Sequence, residues 1–182
     1  MNTDFTDIKF IDSHNYHIFS VDTYQKTAPN GKTSKFVKLN APDWVGAIVY
    51  DRSKNKYLCV KEYRHGVDKT VYQFPCGTVE EGENPIDALY RELHEELGIS
   101  MDYLLGKNHT ITDLFVGCPN PAFMNNKMYF YFIDLSEFVK KTEQELDENE
   151  FVEPVWLTED EVNNFLKEPD AAIIQQLAWK CL

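Results

Sequence analysis

No stretch of this chain stays apolar for anything near the roughly 20 residues a membrane-spanning helix needs, and the N-terminal MNTDFTDIKF has neither the basic start nor the apolar core of an export signal. The expectation is a cytoplasmic protein with no membrane partner. Basic residues are scarce, with 18 Lys and Arg against 30 Asp and Glu and a formal charge of −12. Nucleic acid, held chiefly by clustered Lys and Arg, is therefore not an expected partner. A small anionic substrate stays open, because divalent cations can stand between protein carboxylates and phosphates. Cysteine is sparse too: Cys59, Cys76, Cys118 and Cys181 form no CxxC pair and no short Cys/His spacing. That argues against a zinc site or a disulfide framework and leaves free, mostly packed thiols. Internal repeats are missing, and the one biased stretch, the acidic TEQELDENE at 142–150, reads as a loop.

What is present is enough chain, 182 residues, for one well-buried core. Short β-type runs come first: KFIDSHNYHIFSVDTY, KTSKFVKLN after the turn signal Ala28-Pro29-Asn30-Gly31, GAIVYD, and KYLCVKEYR. Tyr72 to Pro75 is another short β piece. It ends at Cys76-Gly77, where a glycine permits a tight turn or a close approach by a ligand. A helix over 85–97 is sharply punctuated by Asn84 as N-cap, Pro85 at the first position, Asp87 in the first turn and Gly98 past the end. Its Ile86, Leu89, Tyr90, Leu93 and Leu97 fall on one stripe that should face a sheet. Further β runs follow at 111–117, 127–133 and 151–157. Thr158 with Glu161 signals a capped helix near 159–167, and Asp170 is placed to cap a last one. The order of elements suggests an α/β fold, a mixed sheet with helices on both faces in α/β/α layers.

On the helix at 85–97, Glu92, Glu95 and Glu96 stand at i, i+3 and i+4, so three carboxylates leave neighbouring points of one face. Like charges at that spacing cost a few tenths of a kcal/mol per pair on a bare helix, so a counter-charge is expected. A lone ELHEE is ordinarily just a solvated helix face. Mg²⁺ is the hard alternative: it takes carboxylate oxygens, keeps waters and shares its other positions with substrate phosphates.

The wider spacing favours the cation. From Gly77 the chain reads GTVEEGENPIDALYRELHEELGI: glycine, five residues, Glu83, seven residues, Arg91-Glu92-Leu93, one residue, Glu95-Glu96, one residue, Gly98-Ile99. This resembles the Nudix box at every defining position. With residue types each at roughly 5–7%, such a coincidence falls far below one window in about 10⁸. The resemblance implies a Nudix hydrolase over 41–182, preceded by a β-rich extension at 1–40. It implies metal-binding roles for Glu92, Glu95 and Glu96 and for the main-chain carbonyl of Cys76, with Arg91 and Glu83 orienting those carboxylates. The implied cofactor is Mg²⁺, for which Mn²⁺ can substitute.

Beyond the box, over roughly 15–165, the chain is similar to the ADP-ribose pyrophosphatase group. Three passages carry this. PNGKTSKFVKLNAPDWVGAIVYD is like a β-region that helps to build a homodimer there. VKEYRHGVDKTVYQFPCG resembles the group's aromatic-arginine pair and Pro-Ala-Gly turn, which implies that Arg64 faces a phosphate or ribose and draws Gln73 and Gly77 into the substrate site. NPAFMNNKMYFYFIDL is like the proline-bearing loop after the box, with Pro119 or Pro121 as its marker and Phe123 beside it. Departures from the group's pattern are Gln73 where an acid is usual, Cys76 for alanine and Ala122 for glycine.

The group's catalytic base often comes from an acidic loop after the box, which points to Glu150, with Glu148 and Glu153 behind it. Glu92 or Glu95 could also take the proton from a water acidified by its cations. Trp44, Tyr72 and Phe123 are aromatics able to stack on a base. The reaction expected is hydrolysis of the diphosphate of a nucleoside diphosphate linked to another group, with ADP-ribose giving AMP and ribose 5-phosphate. The alternatives are a house-cleaning hydrolase of nucleoside triphosphates or other nucleotide sugars, and a non-catalytic module that senses ADP-ribose.

Overall fold

The computed structural model describes residues 3–106, 109–135, 142–146, 148 and 151–182, which divide into two compact units. One comprises Met1–Asp43 with Gly117–Lys127, and the other Trp44–Val116 with Met128–Leu182.

The first unit is an antiparallel meander of β1 (Thr6–Tyr16), β2 (Phe19–Thr27) and β3 (Thr33–Asn40). The β-type run at 9–24 folds as a hairpin, reversing at His17-Ile18, where no glycine or Asn-Gly pair marks a turn. The second reversal lies where Ala28-Pro29-Asn30-Gly31 places it. Gly31 has φ +81°, its N–H donates to the Ala28 carbonyl at 2.8 Å, and the Asn30 side chain accepts from Lys32 N. The loop 118–127 belongs to this unit: Leu39 N donates to the Phe123 carbonyl at 2.8 Å, and Asn125 donates to the Asn40 side chain.

The second unit is built on β4 (Trp44–Asp51), β5 (Lys56–Arg64), β6 (Lys69–Gln73), β7 (Cys76–Thr78), β8 (Thr110–Gly117), β9 (Met128–Leu135) and β10 (Val152–Leu157), with α1 (Pro85–Leu97), α2 (Met101–Leu105), α3 (Glu159–Phe165) and α4 (Ile173–Lys180). The sheet runs β10-β5-β4-β9-β8, with β6 on β5 and β7 on β4. It is mixed, since β4 and β9 are parallel among antiparallel neighbours.

Strand period two splits the core. Val45, Ala47 and Val49 of β4 and Leu58 and Val60 of β5 pack with Ala88, Leu89, Leu93 and Leu97 of α1. Ile48 and Cys59 point the other way, to Val162 and Phe165 of α3 and Ala178 of α4. Helices therefore cover both faces, as the order of elements implies. Burying Leu89, Leu93 and Leu97 completely or nearly so gives α1 roughly 1.5–3 kcal/mol per side chain, which offsets the cost of holding acids on the adjoining edge, two of them, Glu92 and Glu96, themselves buried.

Several local expectations need correcting. Asn84 has the extended N-cap backbone, but its amide donates to Asp87 instead of accepting from the helix. Cys76-Gly77 makes no turn; it is a short strand paired to Gly46 and Val45. Asp170 caps nothing: it pairs with Lys69, and α4 starts from Ala172 without a side-chain cap. The helix α2, capped by Ser100 accepting from Tyr103 N, is an element the sequence reading lacked. The Thr158/Glu161 capping box is formed in both directions, and all four cysteines are free, Cys59 buried and Cys181 exposed.

Candidate active site

Two local features set the site. Gly98 closes α1 in the left-handed conformation, φ 62°, with its N–H on the His94 carbonyl, so the helix stops directly after the Glu95-Glu96 turn. At the other edge, β7 lies under α1 so closely that a side chain on Gly77 would overlap the Glu92 carboxylate, and Thr78 N donates to Glu92 Oε1 at 3.1 Å. Glycine is required at 77 for that close approach, not for backbone freedom.

Arg91 organises the acids with all of its guanidinium nitrogens. Nε donates to Glu83 Oε1 at 3.2 Å and Nη2 to Glu83 Oε2 at 3.1 Å, a two-pronged pair. Nη2 also reaches the Thr78 carbonyl at 2.8 Å, while Nη1 bridges Glu92 Oε1 at 2.9 Å and Glu95 Oε2 at 3.0 Å. Burial works against its charge, but the Glu83 bonds and the nearby Glu92 charge outweigh it and hold its pKa above the ordinary value. The Arg91 bond in turn holds the Glu83 carboxyl below the usual range, helped by a bond from Glu80 N.

These groups line one cleft of about 350 Å³: Glu62, Arg64, Cys76, Gly77, Thr78, Glu80, Arg91, Glu92, Glu95, Glu96 and Glu145. Among the described residues, six carboxylates face two guanidinium groups there, and Glu92 and Glu96 are themselves buried. An acidic excess of hard oxygen donors in a recess suits a divalent cation. Among the described residues, no three His, Cys, Asp or Glu side chains are already converged as a metal shell; Arg91 Nη1 takes the bridging place between Glu92 and Glu95. Burial pushes the Cys76 thiol up to about 12, so with no cation beside it the sulfur is a neutral thiol.

The structure thus brings Glu83, Arg91, Glu92, Glu95, Glu96, Cys76, Gly77 and Arg64 together. Gln73 is close by but buried, 5% exposed, and is not among the groups lining the cleft; its amide bonds Arg64 and Glu62 instead. Pro119 and Phe123 sit in the loop of the first unit, Phe123 exposed. Trp44 is partly buried against the core on the α3/α4 face, whereas Tyr72 is 43% exposed beside Phe165. Glu150 lies outside the described residues, Glu148 is exposed, and Glu153 pairs with Lys61 at 3.0 Å.

The sequence reading missed Glu62, Glu80 and Glu145. Glu62 had a signal, since strand alternation puts it on the same face as Arg64 and Val60. Glu145 had only its place in the acidic run; its backbone N–H on the Glu95 carbonyl, at 3.2 Å, brings it to the cleft.

Residues 41–177 match the NUDIX domain. The chain is 33% identical over 144 residues to a methanol dehydrogenase activator of Bacillus methanolicus, covering 77% of this chain and 71% of that protein. It is 34% identical over 131 residues to an ADP-ribose pyrophosphatase of Bacillus subtilis (strain 168), covering 71% of this chain and 65% of that one. A solved ADP compounds hydrolase superposes with TM-score 0.74 over 99% of this chain and 94% of its own, at 17% identity, a likeness of fold. The chain belongs to the Nudix family and is, in class, a pyrophosphohydrolase. The resemblance read from the box and from the flanking passages is borne out, as is the mixed α/β fold.

Proposed function

We propose that this enzyme hydrolyses, with Mg²⁺, the diphosphate of a nucleoside diphosphate linked to another group, and that ADP-ribose is its substrate, giving AMP and ribose 5-phosphate. The observation that carries this reading is the convergence of Glu92, Glu95, Glu96, Arg91 and Arg64 on one acidic cleft. Similarity to the Bacillus subtilis ADP-ribose pyrophosphatase supports the substrate.

Glu92, Glu95 and Glu96 with the Cys76 carbonyl would hold Mg²⁺, or Mn²⁺ in its place. Once bound, such ions polarise phosphoryl oxygens and acidify the attacking water. The protein's own part is positioning. Arg91 and Glu83 fix the carboxylates, and Arg64 presents donors to a phosphate. A carboxylate takes the proton as water attacks one phosphorus in line, and the bridging P–O bond breaks with no covalent enzyme intermediate. Glu150 is the base that the resemblance implies, while among the described residues Glu145 is the acid of that segment that lines the cleft.

The first 40 residues would act as a dimerising extension of a domain at 41–182. The exposure of β1 along its whole length, with Ile8, Phe10 and Tyr16 on its surface, supports that assignment. Pro119 and Phe123 are assigned to substrate on the resemblance of their loop alone, and the cytoplasm would be the compartment. Among the described residues no helix is long and apolar enough to cross a membrane.

The test is a panel of ADP-ribose, other nucleotide sugars, dinucleotides and nucleoside triphosphates, assayed with Mg²⁺ and with EDTA. AMP and ribose 5-phosphate formed from ADP-ribose, abolished by EDTA, is the expected result. Preference for a triphosphate, or turnover unaffected by EDTA, would overturn the reading.

A further inference from the structure

Beside the glutamate cluster lies a second polar group whose members have matched chemistry. Strand alternation puts Val60, Glu62 and Arg64 of β5 on the α1 face, and Gln73 of β6 lies directly across from Val60 in the antiparallel ladder. Gln73 is 5% exposed, so both ends of its amide must be satisfied inside the protein. They are. Gln73 Oε1 accepts from Arg64 Nε at 2.8 Å, and Gln73 Nε2 donates to Glu62 Oε2 at 2.6 Å. The triangle is closed by Arg64 Nη1 on Glu62 Oε1 at 3.0 Å.

Arginine only donates and a carboxylate only accepts, so a group that bridges the two must accept at one end and donate at the other. An amide does this and an acid does not. A glutamate at 73 would still accept from Arg64 but would set its second oxygen against Glu62 Oε2 at hydrogen-bond distance, two carboxylates with no proton between them. The neutral residue at 73 is thus the complement of the acid at 62.

We propose that Gln73 is a positioning residue for Arg64. It occupies Nε and, through Glu62, Nη1, which fixes the plane of the guanidinium and leaves Nη2, whose only other partner among the described residues is the weak acceptor Cys76 Sγ at 3.6 Å, to serve the cleft that Arg64 lines. Substrate then meets an arginine already held in the orientation that recognises a phosphate. The consequence for binding rests on the function proposed above, while the consequence for the position of Arg64 does not.

The experiment exchanges the two groups. Q73E, Q73L and the double exchange E62Q/Q73E are compared with wild type by steady-state kinetics on ADP-ribose, and their Arg64 positions by crystallography. Q73E and Q73L are expected to raise KM by about tenfold or more with kcat within about threefold, because uniform binding is lost and the chemical step is not. The double exchange restores one acid and one amide, and is expected to bring KM back to within about threefold of wild type. A double variant no better than Q73E overturns the proposal, as does an Arg64 that keeps its place in Q73E and Q73L crystals. If wild type turns over no ADP-ribose, it is the proposed function that fails; the crystal structures still decide whether Gln73 places Arg64.

Discussion

Gly77 has no side chain because the carboxylate of Glu92 stands where its Cβ would be. The box glycine and the box glutamate, fifteen positions apart, are thus two halves of one contact between β7 and α1. G77A should push Glu92 out of register with the cleft and lower kcat by about 10²-fold, the scale of a 1 Å misplacement, with far-UV circular dichroism unchanged. Near-normal turnover would show that the Glu92 position is unimportant.

Arg91 serves the site by its fork geometry as much as by its charge. R91K keeps the charge and loses the paired hold on Glu83 together with the bridge between Glu92 and Glu95. An increase of about 10- to 100-fold in the Mg²⁺ concentration for half-maximal activity is expected. A Mg²⁺ titration curve that overlays wild type would reduce Arg91 to a surface charge.

The two candidate bases are separable. E145Q and E150Q are compared at saturating Mg²⁺ and substrate, and the one that removes the base should lose about 10²–10⁴ in kcat while the other stays near wild type. If neither changes kcat, the proton goes to Glu92 or Glu95, or to bulk water.

Asp51 gives a pH prediction away from the chemistry. It is buried at the β4–β5 turn, which by itself would raise its pKa, but bonds from the Lys54 ammonium, the Ser53 hydroxyl and backbone N–H groups outweigh this and lower it below 3.8. A lowered carboxyl pKa stabilises the fold fully above the unfolded-state value and is lost as pH falls through the lower folded value. Wild type should therefore lose stability below about pH 3.8 more steeply than D51N. At neutral pH, D51A should cost about 1–3 kcal/mol by orphaning buried donors, read by urea denaturation.

The box helix was legible in the sequence because every one of its signals is local: Pro85 and Gly98 bound it, period 3.6 separates Leu89, Leu93 and Leu97 from the acids, and i, i+3, i+4 spacing puts three carboxylates together. The layered mixed sheet was legible as a class, because β runs flank helices with opposite buried faces. What escaped depends on distant partners. The His17-Ile18 reversal carries no turn residue, Asp170 found Lys69 instead of a helix end, and Cys76-Gly77 became a strand because β4 was there to pair with it. In the site, Glu62 and Gln73 meet only through the β5–β6 register, and Glu145 only through a main-chain bond to α1. Sequence spacing says nothing about either.

The claim underlying all of this is that the α1 carboxylates hold a divalent cation, and Mn²⁺ binding followed by electron paramagnetic resonance tests it without any substrate. Wild type should bind Mn²⁺ and release it to excess Mg²⁺, while E92Q and E96Q bind it at least about tenfold more weakly. Mn²⁺ bound equally by wild type and by both variants, or by none of them, would contradict it.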